Sequence, residues 1–200
     1  MTESREPGTT AVLLAAGAGT RLGRGPKALL PFRGRTLVEV IADVLCEGGC
    51  REVVIVLGAE AERVLGTTDL GRHSVALNPG WQSGMGGSFR LGVEAARPGD
   101  HVLVALVDQP GVTAATVRIL LAAHRPGRVT AAGYPEPAGG PRRGHPLLLD
   151  ATLRTKAAEA ATGDAGARLF LQAHPDLIDL VEFHSGGEDL DTPGQLHLLG

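Results

Sequence analysis

Residues 10–16 read TAVLLAA, an almost uninterrupted apolar run, and Gly17-Ala18-Gly19 follows it directly. An apolar run this short indicates a strand that is buried on both faces, which is typical of parallel sheets. Glycines directly after such a strand let the backbone turn tightly, so that several N–H groups can point at one anion. The opening of the chain therefore predicts an α/β protein with an anion site at the end of its first strand.

Buried strands and helical patterns continue to alternate after this run. Further strands are predicted at Glu52–Leu57, Ser74–Leu77, His101–Val107, Val129–Gly133, Pro146–Leu149 and Leu177–Phe183. Helices are predicted at Thr36–Cys46, Glu60–Leu65, Ser88–Ala96, Thr113–His124, Ala151–Ala161 and Ala165–Ala173. Strands joined through helices form right-handed βαβ units, so we expect a mostly parallel sheet covered by helices. Ligands of such sheets bind beyond the carboxyl ends of the strands, which selects the loops after Ala16, Leu77 and Val107.

The composition fits one domain and disfavours several classes of protein. The 200 residues are 43% hydrophobic and 20% charged, as in ordinary globular domains. The apolar runs are too short to span a membrane, the N-terminus does not resemble a signal peptide, and Cys46 and Cys50 are too few for a disulfide framework. A net charge of −3 and 3% aromatic residues argue against nucleic-acid partners. We expect a cytoplasmic, single-domain protein, 1–200, with a flexible tail at about residues 1–8.

Charge is unevenly distributed along the chain. Five cations and no acid lie between Pro7 and Val38, whereas six acids and no Lys or Arg lie between Asp176 and Gly200. Both clusters could arise by chance on solvated faces. Alternatively, the cations near the start form an anion site and the acids near the end form a cation site. A triphosphate with a divalent metal would need both.

The glycine loop is the first motif that could carry chemistry. It extends to Lys27, and Arg21 and Lys27 can add charge-assisted bonds to an anion. It is not a Walker A loop, and it lacks the third glycine of a dinucleotide fingerprint because Leu22 stands there. The chain has 17 arginines and only two lysines, which favours a functional role for Lys27 that needs a compact ammonium.

Acidic residues supply the candidate metal ligands. Asp108 directly follows a buried strand and is a hard oxygen ligand suited to Mg²⁺, although it could merely cap the turn before Pro110. Asp189 and Asp191 point the same way in extended backbone, so either could be a second ligand. Alternatively, Asp191 or Thr192 only caps a last helix.

Three further segments have open roles. The loop from Asn78 to Ser88 contains Trp81 and much glycine, so it could wrap a nucleoside, while Trp81 could simply cover the core edge and Ser88 is expected to cap the next helix. Arg142 and Arg143 could bind a second phosphate-bearing substrate. His145 could act in catalysis, although a histidine held extended before a proline is more often a turn residue. The segment Gly163-Asp164-Ala165-Gly166-Ala167-Arg168 is expected to start a helix that Asp164 caps, and Arg168 could face a substrate or pair with an acid.

Taken in order, these motifs resemble the MobA-like nucleotidyltransferases, and most closely their molybdenum cofactor cytidylyltransferase branch. The matching motifs are Leu14-Ala15-Ala16-Gly17-x-Gly19-x-Arg21-Leu22-Gly23 with Lys27, Asn78-Pro79-x-Trp81-x-x-Gly84-Met85-x-x-Ser88, Asp108-Gln109-Pro110, Gly144-His145-Pro146, Gly163-Asp164-x-Gly166-Ala167-Arg168 and Asp191-Thr192-Pro193. The chain departs in carrying Leu22 where methionine is common. The resemblance spans almost the whole chain.

The resemblance implies a Rossmann-like three-layer α/β/α fold with a mixed, mainly parallel sheet. It also implies Mg²⁺-dependent transfer of a nucleoside monophosphate, CMP from CTP, to the phosphate of molybdopterin cofactor, with a molybdoenzyme or its chaperone as a further partner. The residues implied to bind nucleotide are Leu14, Ala15, Ala16, Gly17, Gly19, Arg21, Lys27, Asn78, Ser88 and Asp108. Those implied to act in catalysis are Arg21, Lys27 and Asp108, and the implied metal ligands are Asp108 and Asp191. The residues implied to bind the acceptor are Trp81, His145 and Arg168.

The choice of CTP rests on Ala16, since the guanylyltransferase branch has glycine at this position. Use of GTP, or of a sugar phosphate as acceptor, is the alternative within the same class of enzyme. A non-catalytic nucleotide sensor or cofactor chaperone, or a plain dinucleotide-binding module, is the alternative from other classes.

Overall fold

The computed structural model of the protein describes residues 7–136 and 139–199. The strands are β1 (Thr9–Ala15), β2 (Pro31–Phe32), β3 (Arg35–Thr36), β4 (Glu52–Leu57), β5 (Ser74–Leu77), β6 (His101–Leu106), β7 (Val129–Pro135), β8 (Pro141–Leu149) and β9 (Ile178–Glu182). The α-helices are α1 (Leu37–Glu47), α2 (Ala61–Thr67), α3 (Met85–Ala95), α4 (Ala114–Ala123), α5 (Arg154–Glu159) and α6 (Arg168–Ala173). Short 3₁₀ helices lie at Lys27–Leu29, Trp81–Ser83, Gly163–Ala165, Pro175–Leu177 and Pro193–Leu199. Residues 1–6 of the expected flexible tail lie outside the described residues.

The main sheet has seven strands in the order β5-β4-β1-β6-β8-β7-β9. Strand β1 pairs in parallel with both β4 and β6, and β4 pairs in parallel with β5. Strand β8 is antiparallel to both of its neighbours, β6 and β7, so it alone runs against the other six. The prediction of a mixed, mainly parallel α/β sheet is confirmed.

The sheet separates two apolar layers. Alternate residues of β1 enter different layers: Leu13 packs with α1 residues such as Ile41, and Val12 packs with α3 residues such as Phe89. Helices α1, α2 and α4 contribute to the first layer, and α3, α5 and α6 contribute to the second. The burial of β1 on both faces explains why its sequence is apolar at consecutive positions.

The starts of two helices are as expected. The Thr36 N–H donates to the Glu39 carboxylate over 2.9 Å at the start of α1, and Thr113 Oγ1 accepts from the Thr116 N–H over 3.1 Å at the start of α4. Both bonds satisfy backbone donors that the first turn of a helix leaves unpaired.

Three local predictions are wrong. Ser88 does not cap α3, because the helix begins three residues earlier at Met85, and Gly84 is its N-cap. Strand β8 begins at Pro141 instead of Pro146, since pairing with β7 extends it beyond its apolar part. The helix expected at Ala151–Ala161 covers only Arg154–Glu159. Within the described ranges, no helix combines the length and the apolarity that crossing a membrane requires.

Candidate active site

Three loops at the carboxyl edge of the sheet line one cleft of about 460 Å³. Ala16 follows β1, Trp81 follows β5 and Asp108 follows β6, and all three line this cleft. These are the loops that strand direction alone selects as ligand-binding. We call this space the nucleotide cleft. Its other lining residues include Leu14, Gly17, Gly19, Thr20, Arg21, Lys27, Gln82, Met85, Ser88, Asp164 and Asp191.

The glycine loop turns sharply at Gly19. Its φ is +64°, and a Cβ placed on it would lie 2.2 Å from the carbonyl oxygen of Gly25. Only glycine therefore lets the loop fold back on itself, which returns the chain to the cleft at Lys27. Arg21 is exposed on this loop and lines the same cleft.

The Lys27 ammonium lies between two carboxylates. Its Nζ is 2.7 Å from Oδ2 of Asp108 and 2.5 Å from Oδ1 of Asp191. Burial acts to lower the pKa of Lys27, but the hydrogen bonds to the two aspartates raise it above its usual value. Burial raises the pKa of Asp108, although the ammonium partly offsets this. The three charges sum to −1, which leaves the group able to accept a further cation.

The structure distinguishes Asp191 from Asp189. The segment is anchored by Leu190, which is fully buried and donates its N–H to the Asp108 carbonyl over 2.8 Å. On one side of this anchor Asp191 reaches Lys27, and on the other Asp189 accepts from Nε2 of Gln109 over 2.8 Å. Asp191 also precedes the 3₁₀ helix that Pro193 begins, as expected.

The paired carboxylates fit a hard divalent cation. Asp108 and Asp191 converge on one positive group, and Mg²⁺ is typically held by one or two carboxylates together with substrate phosphates. The Lys27 ammonium lies between the same two carboxylates. A divalent cation bound by Asp108 and Asp191 would therefore compete with this ammonium for them.

A second cleft of about 290 Å³ adjoins the first and shares Leu14, Met85 and Leu106 with it. Among its lining residues are Gln109, Arg142, Arg143, His145, Arg168 and Asp189. Burial lowers the pKa of His145 to about 4, so the imidazole is neutral at pH 7. We call this space the arginine cleft. It contains the expected acceptor residues His145 and Arg168, whereas Trp81 lies in the nucleotide cleft instead.

Asn78 and Ala15 do not line either cleft with their side chains. Asn78 donates to Oγ of Ser88 over 2.9 Å and accepts from the Gly80 N–H over 3.0 Å, so it holds its own loop. The Ala15 side chain is buried in the core, which leaves only its backbone for a ligand.

Sequence reasoning missed Asp164 as a residue of the nucleotide cleft. The sequence predicts that Asp164 caps a helix, and this prediction is wrong: α6 begins only at Arg168, with Ala167 as an N-cap that makes no side-chain bond. Asp164 reaches the cleft because Gly84 permits close approach: a Cβ on Gly84 would lie 2.4 Å from the carbonyl carbon of Gly163. The glycines at 84 and 163 were the sequence feature that could have indicated this close approach of the two loops.

Comparison with known proteins places this geometry in a family. The MobA-like NTP transferase domain matches residues 11–177. Nicotine blue oxidoreductase of Paenarthrobacter nicotinovorans is 53% identical over 198 residues, which cover 96% of this chain and 97% of that protein.

Solved structures agree with that match over nearly the whole chain. Rv0371c of Mycobacterium tuberculosis is 26% identical, with a TM-score of 0.81 and coverage of 96% of this chain and 97% of that one. The same protein has been solved in complex with manganese, with a TM-score of 0.79, 25% identity and coverage of 96% and 98%. A nucleotidyl transferase of Methanothermobacter is 26% identical, with a TM-score of 0.79 and coverage of 96% and 95%.

Proposed function

The chain belongs to the MobA-like NTP transferase family, and from that premise we propose that it is a metal-dependent nucleotidyltransferase. It would move a nucleoside monophosphate from an NTP to a phosphate-bearing acceptor and release pyrophosphate. The observation that carries this proposal is the position of Lys27 between Asp108 and Asp191, inside a cleft that the glycine loop lines.

The residues of the cleft supply charge and position instead of a general base. The acceptor phosphate is already anionic, so it can attack the α-phosphorus in line while pyrophosphate leaves. The loop N–H groups at Gly17 and Gly19, with Arg21 and Lys27, would hold the triphosphate and stabilise the charge that grows on the leaving group. Asp108 and Asp191 would hold Mg²⁺ or Mn²⁺, which when bound neutralises phosphate charge.

The arginine cleft suits an anionic acceptor. Arg142, Arg143 and Arg168 line it beside the nucleotide cleft, and guanidinium groups bind phosphate with paired hydrogen bonds. The resemblance of the motifs to the molybdenum cofactor branch supports molybdopterin as acceptor, and Ala16 beside the cleft supports CTP as donor. Because NTPs are cytoplasmic substrates, we also propose a cytoplasmic location and one functional domain over 1–200.

The test is a panel of reactions. The metal-free protein is incubated with each NTP, with Mg²⁺ or Mn²⁺, and with phosphorylated acceptors including molybdopterin, and pyrophosphate is measured. We expect release only with NTP, metal and acceptor together, and fastest with CTP. NTP binding without pyrophosphate from any acceptor would instead support a non-catalytic sensor or chaperone.

A second candidate is an oxidoreductase, which the 53% identity to nicotine blue oxidoreductase over nearly the full length favours. The nucleotide cleft would then hold a nucleotide-borne electron donor such as a nicotinamide dinucleotide, although the loop lacks a dinucleotide fingerprint. Oxidation of NADH or NADPH in the presence of nicotine blue, followed by absorbance, tests this candidate. Asp108→Asn separates the two functions, because hydride transfer does not require the metal that nucleotidyl transfer does.

A further inference from the structure

A second group of metal-ligating side chains lies at the opposite edge of the sheet from the nucleotide cleft. His101 begins β6, His124 follows α4, and Asp150 follows β8. Because β8 runs against β6, its end lies beside the start of β6, and this brings Asp150 to His101. One donor atom from each residue lies within 4.8 Å of the other two.

Two of the three spacings in this cluster are close to those between the ligand atoms of one metal ion. Nδ1 of His101 and Nε2 of His124 each lie 3.5 Å from Oδ2 of Asp150. That distance is long for a hydrogen bond, and it is close to the roughly 3.3 Å between ligand atoms of a tetrahedral Zn²⁺ site with bonds of about 2.0–2.1 Å.

His124 presents a nitrogen that the surrounding residues leave unpaired. Its side chain is only 7% exposed, and Nε2 has no hydrogen-bond partner within the described residues. Its Nδ1 lies 2.9 Å from Oγ1 of Thr130. Placing the ring proton on Nδ1, where Thr130 accepts it, leaves the Nε2 lone pair facing Asp150. A partner of this kind on the far nitrogen is the usual second contact of a metal-binding imidazole.

Asp150 is held in the orientation that a ligand requires. Its Oδ1 accepts from the Thr152 N–H over 2.8 Å and from the Thr152 hydroxyl over 2.6 Å. These bonds fix Oδ1, which leaves Oδ2 facing the two imidazoles, 3.5 Å from one nitrogen of each.

His101 already makes one hydrogen bond through its ring. Its Nδ1 accepts the Ala151 N–H over 3.0 Å. Coordination through Nδ1 exchanges this hydrogen bond for a metal bond, and the alternative donor, Nε2, would keep it. The two rings already lie edge to face, with centroids 4.6 Å apart.

We propose that His101, His124 and Asp150 form a binding site for Zn²⁺ or a similar first-row transition metal. Imidazole ligands select such ions over Mg²⁺, and three protein ligands leave a fourth position for water. The ion would link the start of β6, the end of α4 and the end of β8. We therefore expect it to raise the free energy of unfolding of the protein. The site is independent of the function proposed for the nucleotide cleft.

The test uses the full-length protein after removal of metal with EDTA. Thermal unfolding is recorded with and without Zn²⁺, bound zinc is counted after dialysis, and the visible absorption of added Co²⁺ is measured. We expect one ion per chain, a Tm increase of about 5–10 °C at a hundredfold excess over Kd, and a tetrahedral Co²⁺ spectrum. Mg²⁺ at the same concentration should raise Tm by much less than Zn²⁺ does, because imidazole ligands select transition metals.

Matched variants locate the ion. His124→Gln and Asp150→Asn should each weaken zinc binding by about tenfold or more. The control variants Cys46→Ser and His184→Gln, the latter at an exposed position, should bind zinc as the unmodified chain does, because both lie outside the cluster. A Tm in EDTA equal to that of the unmodified chain establishes that His124→Gln folds. Zinc binding unchanged in both cluster variants, or lost in Cys46→Ser, would overturn the proposal, as would equal stabilisation by Mg²⁺.

Discussion

Nζ of Lys27 lies 2.5 Å from Oδ1 of Asp191, although 164 residues separate them in the sequence. The same ammonium lies 2.7 Å from Asp108, 81 residues away. A lysine thus holds together the two acidic residues that we propose as metal ligands. In the proposed reaction, Lys27 would exchange these carboxylates for phosphate oxygens of the nucleotide.

Lys27→Met should therefore change metal and nucleotide affinity in opposite directions. Removing the ammonium leaves two carboxylates facing each other, so Mn²⁺ binding without nucleotide should tighten by about tenfold. NTP binding should weaken, because the triphosphate loses a charged partner. Titration of Mn²⁺ by electron paramagnetic resonance measures the first effect and calorimetry measures the second. Arg24→Met, an exposed change in the same loop, is the control. Weaker Mn²⁺ binding in Lys27→Met would contradict this account.

Asp108→Asn should reduce pyrophosphate release by about 100-fold or more while weakening NTP binding by less than about tenfold. The amide preserves size and can still accept from Lys27, but it removes the negative charge that holds the metal. Asp189→Asn is the matched control, since Asp189 pairs with Gln109 and not with Lys27. Its effect should be confined to the KM of the acceptor. Equal turnover in Asp108→Asn and the unmodified chain would remove Asp108 from the metal site.

Gly19→Ala should destabilise the protein by about 2–4 kcal/mol, because it adds both a left-handed strain and a clash with the Gly25 carbonyl. Gly23→Ala separates these effects: its φ is +68° but nothing lies within 4 Å of the added Cβ, so the cost should be about 1 kcal/mol. Gly17→Ala, with ordinary φ and open space, should fold normally. Urea unfolding gives the three free energies, and equal losses for Gly19→Ala and Gly23→Ala would mean that the loop relaxes around the clash.

Stability should fall as the pH drops from 6.5 to 4. Burial lowers the pKa of His145 from 6.5 to about 4, so in this window the unfolded chain binds a proton that the folded chain does not. Arg143 acts in the same direction as burial, and Asp108 opposes it. The contribution is complete above pH 6.5 and amounts to at most about 3 kcal/mol.

Urea unfolding at pH 7.5, 6 and 4.5 measures this dependence. His145→Gln should flatten the decline without abolishing it, since burial also lowers the pKa of His124. Exposed His184→Gln should retain the full decline. If His145→Gln loses stability as steeply as the unmodified chain, His145 is not the group responsible.

Strand identity and strand direction could be inferred from local pattern. Consecutive apolar residues in β1, β4 and β6 predicted burial on both faces, and the carboxyl-edge rule then brought Ala16, Trp81 and Asp108 to one cleft. The length of β8 could not be inferred, because its first half is polar and is held by pairing with β7. The start of α3 was missed for a related reason: Met85-Gly86-Gly87 has poor helix propensity, and packing against Thr162 and Gly163 stabilises it there.

The α/β class and the glycine loop with Lys27 could be predicted from the sequence, because each depends on a pattern of neighbouring residues. The family could be recognised because its motifs occur in the same order along the chain. The sequence pattern left open which acid meets Lys27: in the folded chain it is Asp191 and not Asp189, since the burial of Leu190 sets which way each acid faces. The cluster of His101, His124 and Asp150 was also not predictable from the pattern. Periodicity indicates which face of an element is buried, but contacts between distant residues depend on how the elements pack, such as the reversed direction of β8 that brings Asp150 to His101.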